Sequence, residues 1–135
     1  MEEEVSYPFL RIHEKMHLLI YTGKVLIESG ASTDQVQRDL MRAALYMELP
    51  EGKVNFQIDY TTFMVSVSDE RHVNYTRFMR CRMQGQNMSL IASVNKLIWR
   101  ATKRNYPLER YEKELRRLKR FRRHYSWPVE TFGAS

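Results

Sequence analysis

His13 and His17 stand four residues apart with Glu14 between them. On a helix that spacing puts both imidazoles on one face, where they could share a metal ion. A third ligand and the His-Glu-x-x-His order of a zinc hydrolase are missing, so the pair reads as two helix histidines and no metal is expected. Cys81 is the single cysteine. No histidine beside it can act as its base, and a cysteine in such a place is read as a small buried hydrophobe. The five glycines are scattered singly, which excludes a glycine-rich phosphate loop. Asp34, Asp39, Glu48, Glu51, Asp59, Asp69 and Glu70 fall near turns and caps and form no acid/base pair. No catalytic residue and no cofactor is therefore assigned, and the chain is not read as an enzyme.

The strongest charge feature lies near the C-terminus. Arg116, Arg117, Lys119, Arg120, Arg122 and Arg123 carry six positive charges within eight residues, which equals the net charge of +6, so the other residues sum to zero. Three readings fit this run. It can be a solvated helix end favoured by the macrodipole, an anion- or nucleic-acid-binding patch, or a juxtamembrane segment. The third also accounts for Tyr125 and Trp127 just beyond, because aromatic residues favour the membrane interface next to cytoplasmic cations. Nucleic acid is not expected, since the strands lack the interleaved aromatic and basic residues of an RNA-binding sheet.

The elements that must position these groups follow from periodicity. Phe9, Ile12, Met16, Leu19, Ile20, Leu26 and Ile27 recur at helical spacing, with Ser6 as expected cap and Gly30 as expected stop. Ser32-Thr33-Asp34-Gln35 reads as a capping box opening a second helix that buries Val36, Leu40, Ala43, Ala44 and Met47. After Leu49-Pro50-Glu51-Gly52 the period becomes two. Val54, Phe56 and Ile58 form one strand, and Phe63, Val65 and Val67 a second. A third runs from Val73 to Met79, with Val73, Tyr75 and Phe78 placed inward. Asn87 is the expected cap of a third helix carrying Leu90, Ile91, Val94, Leu97, Ile98 and Ala101. Pro107 suits the start of a fourth, with Tyr111, Leu115 and Leu118 packed. The class is α+β: two N-terminal helices, a three-stranded antiparallel meander and two C-terminal helices. At 135 residues this is one domain. No apolar run approaches the roughly 20 residues of a membrane-spanning helix, and an acidic Met1-Glu2-Glu3-Glu4 start is unlike a signal peptide.

Gly23-Lys24-Val25-Leu26-Ile27-Glu28-Ser29-Gly30-Ala31-Ser32-Thr33-Asp34-Gln35-Val36 carries a family likeness. With the Thr62 strand, Thr76-Arg77, the helices Asn87 to Leu97 and Leu108 to Leu115, and Tyr125-Ser126-Trp127-Pro128, it resembles the N-terminal domain of the threonine/serine exporter (ThrE) family. The likeness is to the short, split YjjP-type members. It implies that residues 1–125 form a soluble domain on the cytoplasmic side of the inner membrane, and that residues 126–135 approach a first membrane helix that is not in the chain. It also implies export of threonine and serine or of a small dicarboxylate such as succinate, with the domain acting in assembly, gating or substrate access. Expected partners are a small integral membrane subunit, the protein's own further membrane helices and an anionic lipid surface, with a homo-oligomer left open. The alternative reading is a soluble anion- or nucleic-acid-binding module using the basic C-terminal helix. The residues assigned to a substrate or assembly surface are Ser29, Gly30, Ala31, Thr33, Gln37 and Thr62. Many family members carry an acid where Gln37 stands, a role that Asp39 could take over, and a different turn where this chain has Tyr60-Thr61-Thr62.

Overall fold

The computed structural model describes residues 2–49, 53–59, 61–69 and 71–120, with side chains from residue 11 onward. Helix α1 spans Glu2–Glu28. It starts earlier than the sequence suggests, so Ser6 lies inside the helix and is not its cap. Three glutamates at the positive end of the helix dipole favour that earlier start. The helix stops at Gly30, whose φ of +86° is left-handed. The Gly30 amide donates to Ile27 O and the Ala31 amide to Leu26 O, which closes the last turn as a Schellman motif. Ser32 then caps α2, Thr33–Tyr46, by accepting from the Gln35 amide. That helix ends in the same manner, with Glu48 at a φ of +61° and the Leu49 amide donating to Ala44 O.

Strands β1 (Val54–Ile58), β2 (Thr62–Ser68) and β3 (Asn74–Arg80) form an antiparallel meander in the order β1-β2-β3. β2 is central, and its Phe63, Val65 and Val67 are fully buried on one face. The register sets the inward positions of β3, because Met79 pairs with Phe63 and Tyr75 with Val67. Two sequence expectations fail here. Phe78 pairs with Met64 on the opposite face and is 70% exposed, since strand side chains alternate and Met79 already points inward. Val73 precedes the strand and is exposed in a turn, its amide donating to the Asp69 carboxylate.

Helix α3, Met88–Arg104, is capped by Asn87, whose side chain accepts from the Leu90 amide, and stops at left-handed Asn105. A fourth helix, α4, covers residues 108–120 up to the limit of the described residues. The Pro107 carbonyl takes its first bonds, from the amides of Arg110 and Tyr111. α1 is the hub, in contact with β2, β3, α2 and α3. Its Gly23 allows a close approach to the sheet, because a Cβ there would lie 2.3 Å from Phe63 Cε2. Around it a single core forms from Met16, Leu19, Leu26, Leu40, Leu97, Tyr111 and Leu115, all without exposure.

Candidate functional site

The corner between α1 and α2 carries five of the six residues assigned to a substrate or assembly surface. Ser29 is buried, Gly30 and Ala31 are half-buried, and Thr33 and Gln37 are exposed one helical turn apart on the same face of α2. The segment 81–87, between β3 and α3, is fastened to this corner by main-chain bonds. The Gln84 amide donates to Glu28 O at 3.0 Å and the Asn87 amide to Ser29 O at 2.9 Å. At its other end the Cys81 amide donates to Thr61 O at 2.9 Å, which brings the start of β2 to the same end of the molecule. A Cβ on Gly30 would lie 3.1 Å from Gly85 O. Glycine is therefore favoured at this corner by φ, and the space beside it is tight. Thr62 is half-buried on the sheet face opposite Phe63, away from α1.

The chemistry open to the corner is that of a helix start. The first-turn amides of α2 favour a negative group. Ser32 Oγ satisfies the Gln35 amide, and exposed Asp34 already brings a negative charge to the first turn. Thr33 is exposed beside that helix start.

The basic run divides into committed and open cations. Arg116 forms a two-pronged ion pair with Glu112, at 2.8 and 3.0 Å, and its guanidinium lies 5.1 Å from the centre of the Tyr21 ring. Lys119 Nζ lies 5.3 Å from the same ring. Two charges of the cluster thus hold α4 against α1 as cation–π contacts, while Arg117 and Arg120 are exposed. Burial raises the Tyr21 phenol, opposed by the nearby charges of Arg116 and Arg120. Arg122, Arg123, Tyr125 and Trp127 lie outside the described residues.

Two buried polar groups were not assigned a place in the core by the sequence reading. Asp39 is 1% exposed. Its Oδ1 accepts from Asn95 Nδ2 at 2.8 Å and lies 3.9 Å from Arg42 Nη1, while its Oδ2 has no partner among the described residues. Burial raises its carboxyl above the ordinary carboxylate value, against the lowering effect of Asn95, Arg42 and Arg38. Thr22 donates to Leu18 O at 2.7 Å and lies 2.8 Å from Tyr111 Oη. A hydroxyl has one hydrogen, so Tyr111 must be the donor of the second bond. The Tyr111 phenol is raised strongly by burial, and the Tyr46 phenol, which donates to Tyr106 O, is pushed up to about 12. The signal was present in the spacing. Asp39 falls three after Val36 and four before Ala43, and Thr22 three after Leu19 and four before Leu26, inside the buried stripes.

His13 packs edge-on against Tyr75 with ring centres 5.8 Å apart, and His17 is exposed. Cys81 sits one residue past β3 and is buried, which raises its thiol. Among the described residues no helix is long and apolar enough to cross a membrane.

Residues 17–135 match the model of the threonine/serine exporter family, ThrE. No curated protein and no solved structure matches the chain.

Proposed function

We propose that this chain, which belongs to the threonine/serine exporter (ThrE) family, serves as the cytoplasmic domain of an inner-membrane exporter and contributes to its assembly, gating or substrate access. One observation carries the reading. The fold anchors the basic end of α4 on Tyr21 through Arg116 and Lys119 and leaves Arg117 and Arg120 outward. A polarised cationic end of this kind suits an anionic lipid surface. Arg122, Arg123, Tyr125 and Trp127 extend the same chemistry in sequence. The transported solute is a small hydroxy amino acid such as threonine or serine, with a small dicarboxylate as the competing class. A small membrane subunit and further membrane helices complete the path.

Substrate access is assigned to the Ser29-Gly30-Ala31-x-Thr33 corner together with Gln37, where a carboxylate could approach the start of α2. Thr62 belongs to the same end through the Cys81–Thr61 bond. The test is efflux of labelled threonine, serine and succinate from preloaded cells, with and without the protein. Thr33→Val keeps the shape and removes the hydroxyl. We expect it to lower efflux several-fold at normal protein level, and unchanged flux in a stable variant would remove the corner from the path. A protein that fractionates with the cytosol and alters no efflux would overturn the whole reading.

A further inference from the structure

The outer face of α2 and α3 combines exposed apolar and cationic side chains. Arg42 lies over the Trp99 ring, 5.3 Å from its centre, and Trp99 is 56% exposed. Leu45, one turn beyond Arg42 on α2, is 53% exposed. Arg38 precedes Arg42 by one turn, and exposed Lys96 and Lys103 flank Trp99 along α3. Helix α3 contains no acidic residue. On α2 the exposed acid is Asp34, at the far end from Leu45, and Asp39 is buried, while exposed Glu48 just past α2 interacts with the charge of Lys15.

The chain also contains a segment of opposite character. α1 has 27 residues and its hairpin partner α2 has 14, lengths of about 40 and 21 Å at 1.5 Å per residue. Both close at the Gly30 corner, so the first dozen or so residues of α1 run past the end of α2. The charges of Lys15 and Glu48 interact at about the level where α2 stops. That projecting end opens with Glu2, Glu3 and Glu4 and has no Lys or Arg before Arg11.

We propose that the α2–α3 face around Arg42, Leu45 and Trp99 receives the acidic N-terminal end of α1 from a second copy of this chain. Each copy donates one segment and receives one, so the contact is isologous and closes as a dimer. The doubled contact moves two short helix-on-face interfaces toward the roughly 1,000 Å² that a stable pair needs. Trp99 supplies the central aromatic anchor, which is the usual place for the largest share of binding energy. Complementary charge at Lys96 and Lys103 fixes the direction in which the segment lies.

Sedimentation velocity of the chain across a wide concentration range, in low and high salt, tests the pairing. The dimer should weaken in high salt and with Trp99→Ser. The Lys96→Glu/Lys103→Glu pair should weaken it about tenfold, as expected for a few rim ion pairs of a fraction of a kcal/mol each. Arg42 is left intact in these variants because it also faces buried Asp39. Glu2→Lys/Glu3→Lys/Glu4→Lys should weaken it alike, and combining the two charge reversals should restore association. Circular dichroism checks that each variant folds. A wild-type chain that stays monomeric at the highest concentration overturns the proposal. So does a dimer indifferent to the N-terminal reversal, or binding of the Lys96/Lys103 surface to phosphatidylglycerol vesicles without any self-association.

Discussion

Gly23→Ala sets two known effects against each other at the contact between α1 and the sheet. Alanine is the better helix former by about 1 kcal/mol, so an exposed glycine at this point would gain stability from the change. Here the new methyl would sit 2.3 Å from Phe63 Cε2, 2.6 Å from Cζ and 3.0 Å from Cδ2. Reaching ordinary contact requires the ring or the helix to give by about 1 Å, within an interior that is close-packed. Phe63 has no exposure and its ring lies near-parallel to Phe56, with centres 6.4 Å apart. Overpacking of such a site costs about 3 kcal/mol at the upper end of the usual range. The net loss is then about 2 kcal/mol, or roughly 7 °C in Tm for a domain of this size. Urea denaturation followed by circular dichroism measures it directly. Phe63→Leu should be destabilising alone yet should relieve Gly23→Ala, giving a coupling of about 1 kcal/mol in the double-mutant cycle. A Gly23→Ala protein as stable as wild type, or more so, would refute the reasoning by showing that Phe63 yields freely.

Three further outcomes are expected. The Asp39 carboxyl is raised by burial, so the folded state holds its proton more tightly than the unfolded chain. Stability from this group is present at low pH and is lost as pH rises from the ordinary carboxylate value through the raised one. Asp39→Asn should therefore gain on wild type across that window in pH-dependent urea melts, with a constant gap above it. Thr22→Val leaves the Tyr111 hydroxyl buried without an acceptor and should cost about 1–3 kcal/mol. Tyr111→Phe should cost less, because Thr22 keeps its bond to Leu18 O, and the double variant should be better than the sum of the two. Gly30→Ala forces an L side chain to a φ of +86° beside Gly85 O, at a cost of about 1–2 kcal/mol. Amide exchange at Gln84 and Asn87 should speed up together in that variant.

Where one physical cause dominated, the sequence was sufficient to read the element. β2 alternates because it is central and covered on one face, and its pattern of Phe63, Val65 and Val67 needs no other information. Ser32 and Asn87 are found from composition because few residues cap a helix well. β3 is an edge strand whose inward row is Tyr75, exposed Arg77 and Met79. With Tyr75 inward the two-residue period already puts Phe78 on the other face, and the bulk of its ring was a misleading sign of burial. The start of α1 was hidden because Ser6 resembles a cap while the glutamates before it favour helix through their charge. Tyr21 under Arg116 and Lys119 joins residues nearly a hundred positions apart, a contact that no local pattern encodes. At the corner, Gly30 and Ser32 were legible from backbone chemistry. The fastening by the segment 81–87 was not, because main-chain bonds leave no trace in side-chain identity.

That last property bears on how the protein can change over evolutionary time. The segment 81–87 is stitched to the α1–α2 corner and to the β1–β2 turn through peptide groups at Cys81, Gln84 and Asn87. Substitutions at exposed Arg82, Met83, Gln84 and Gln86 leave those stitches intact. Gly85, at a φ of +139°, is the position in the loop held by its conformation. Such a seam lets a lineage redraw the surface beside the corner, in charge or in bulk, without re-solving the fold beneath it. New specificity at this end of the molecule can therefore arise by drift in side chains alone.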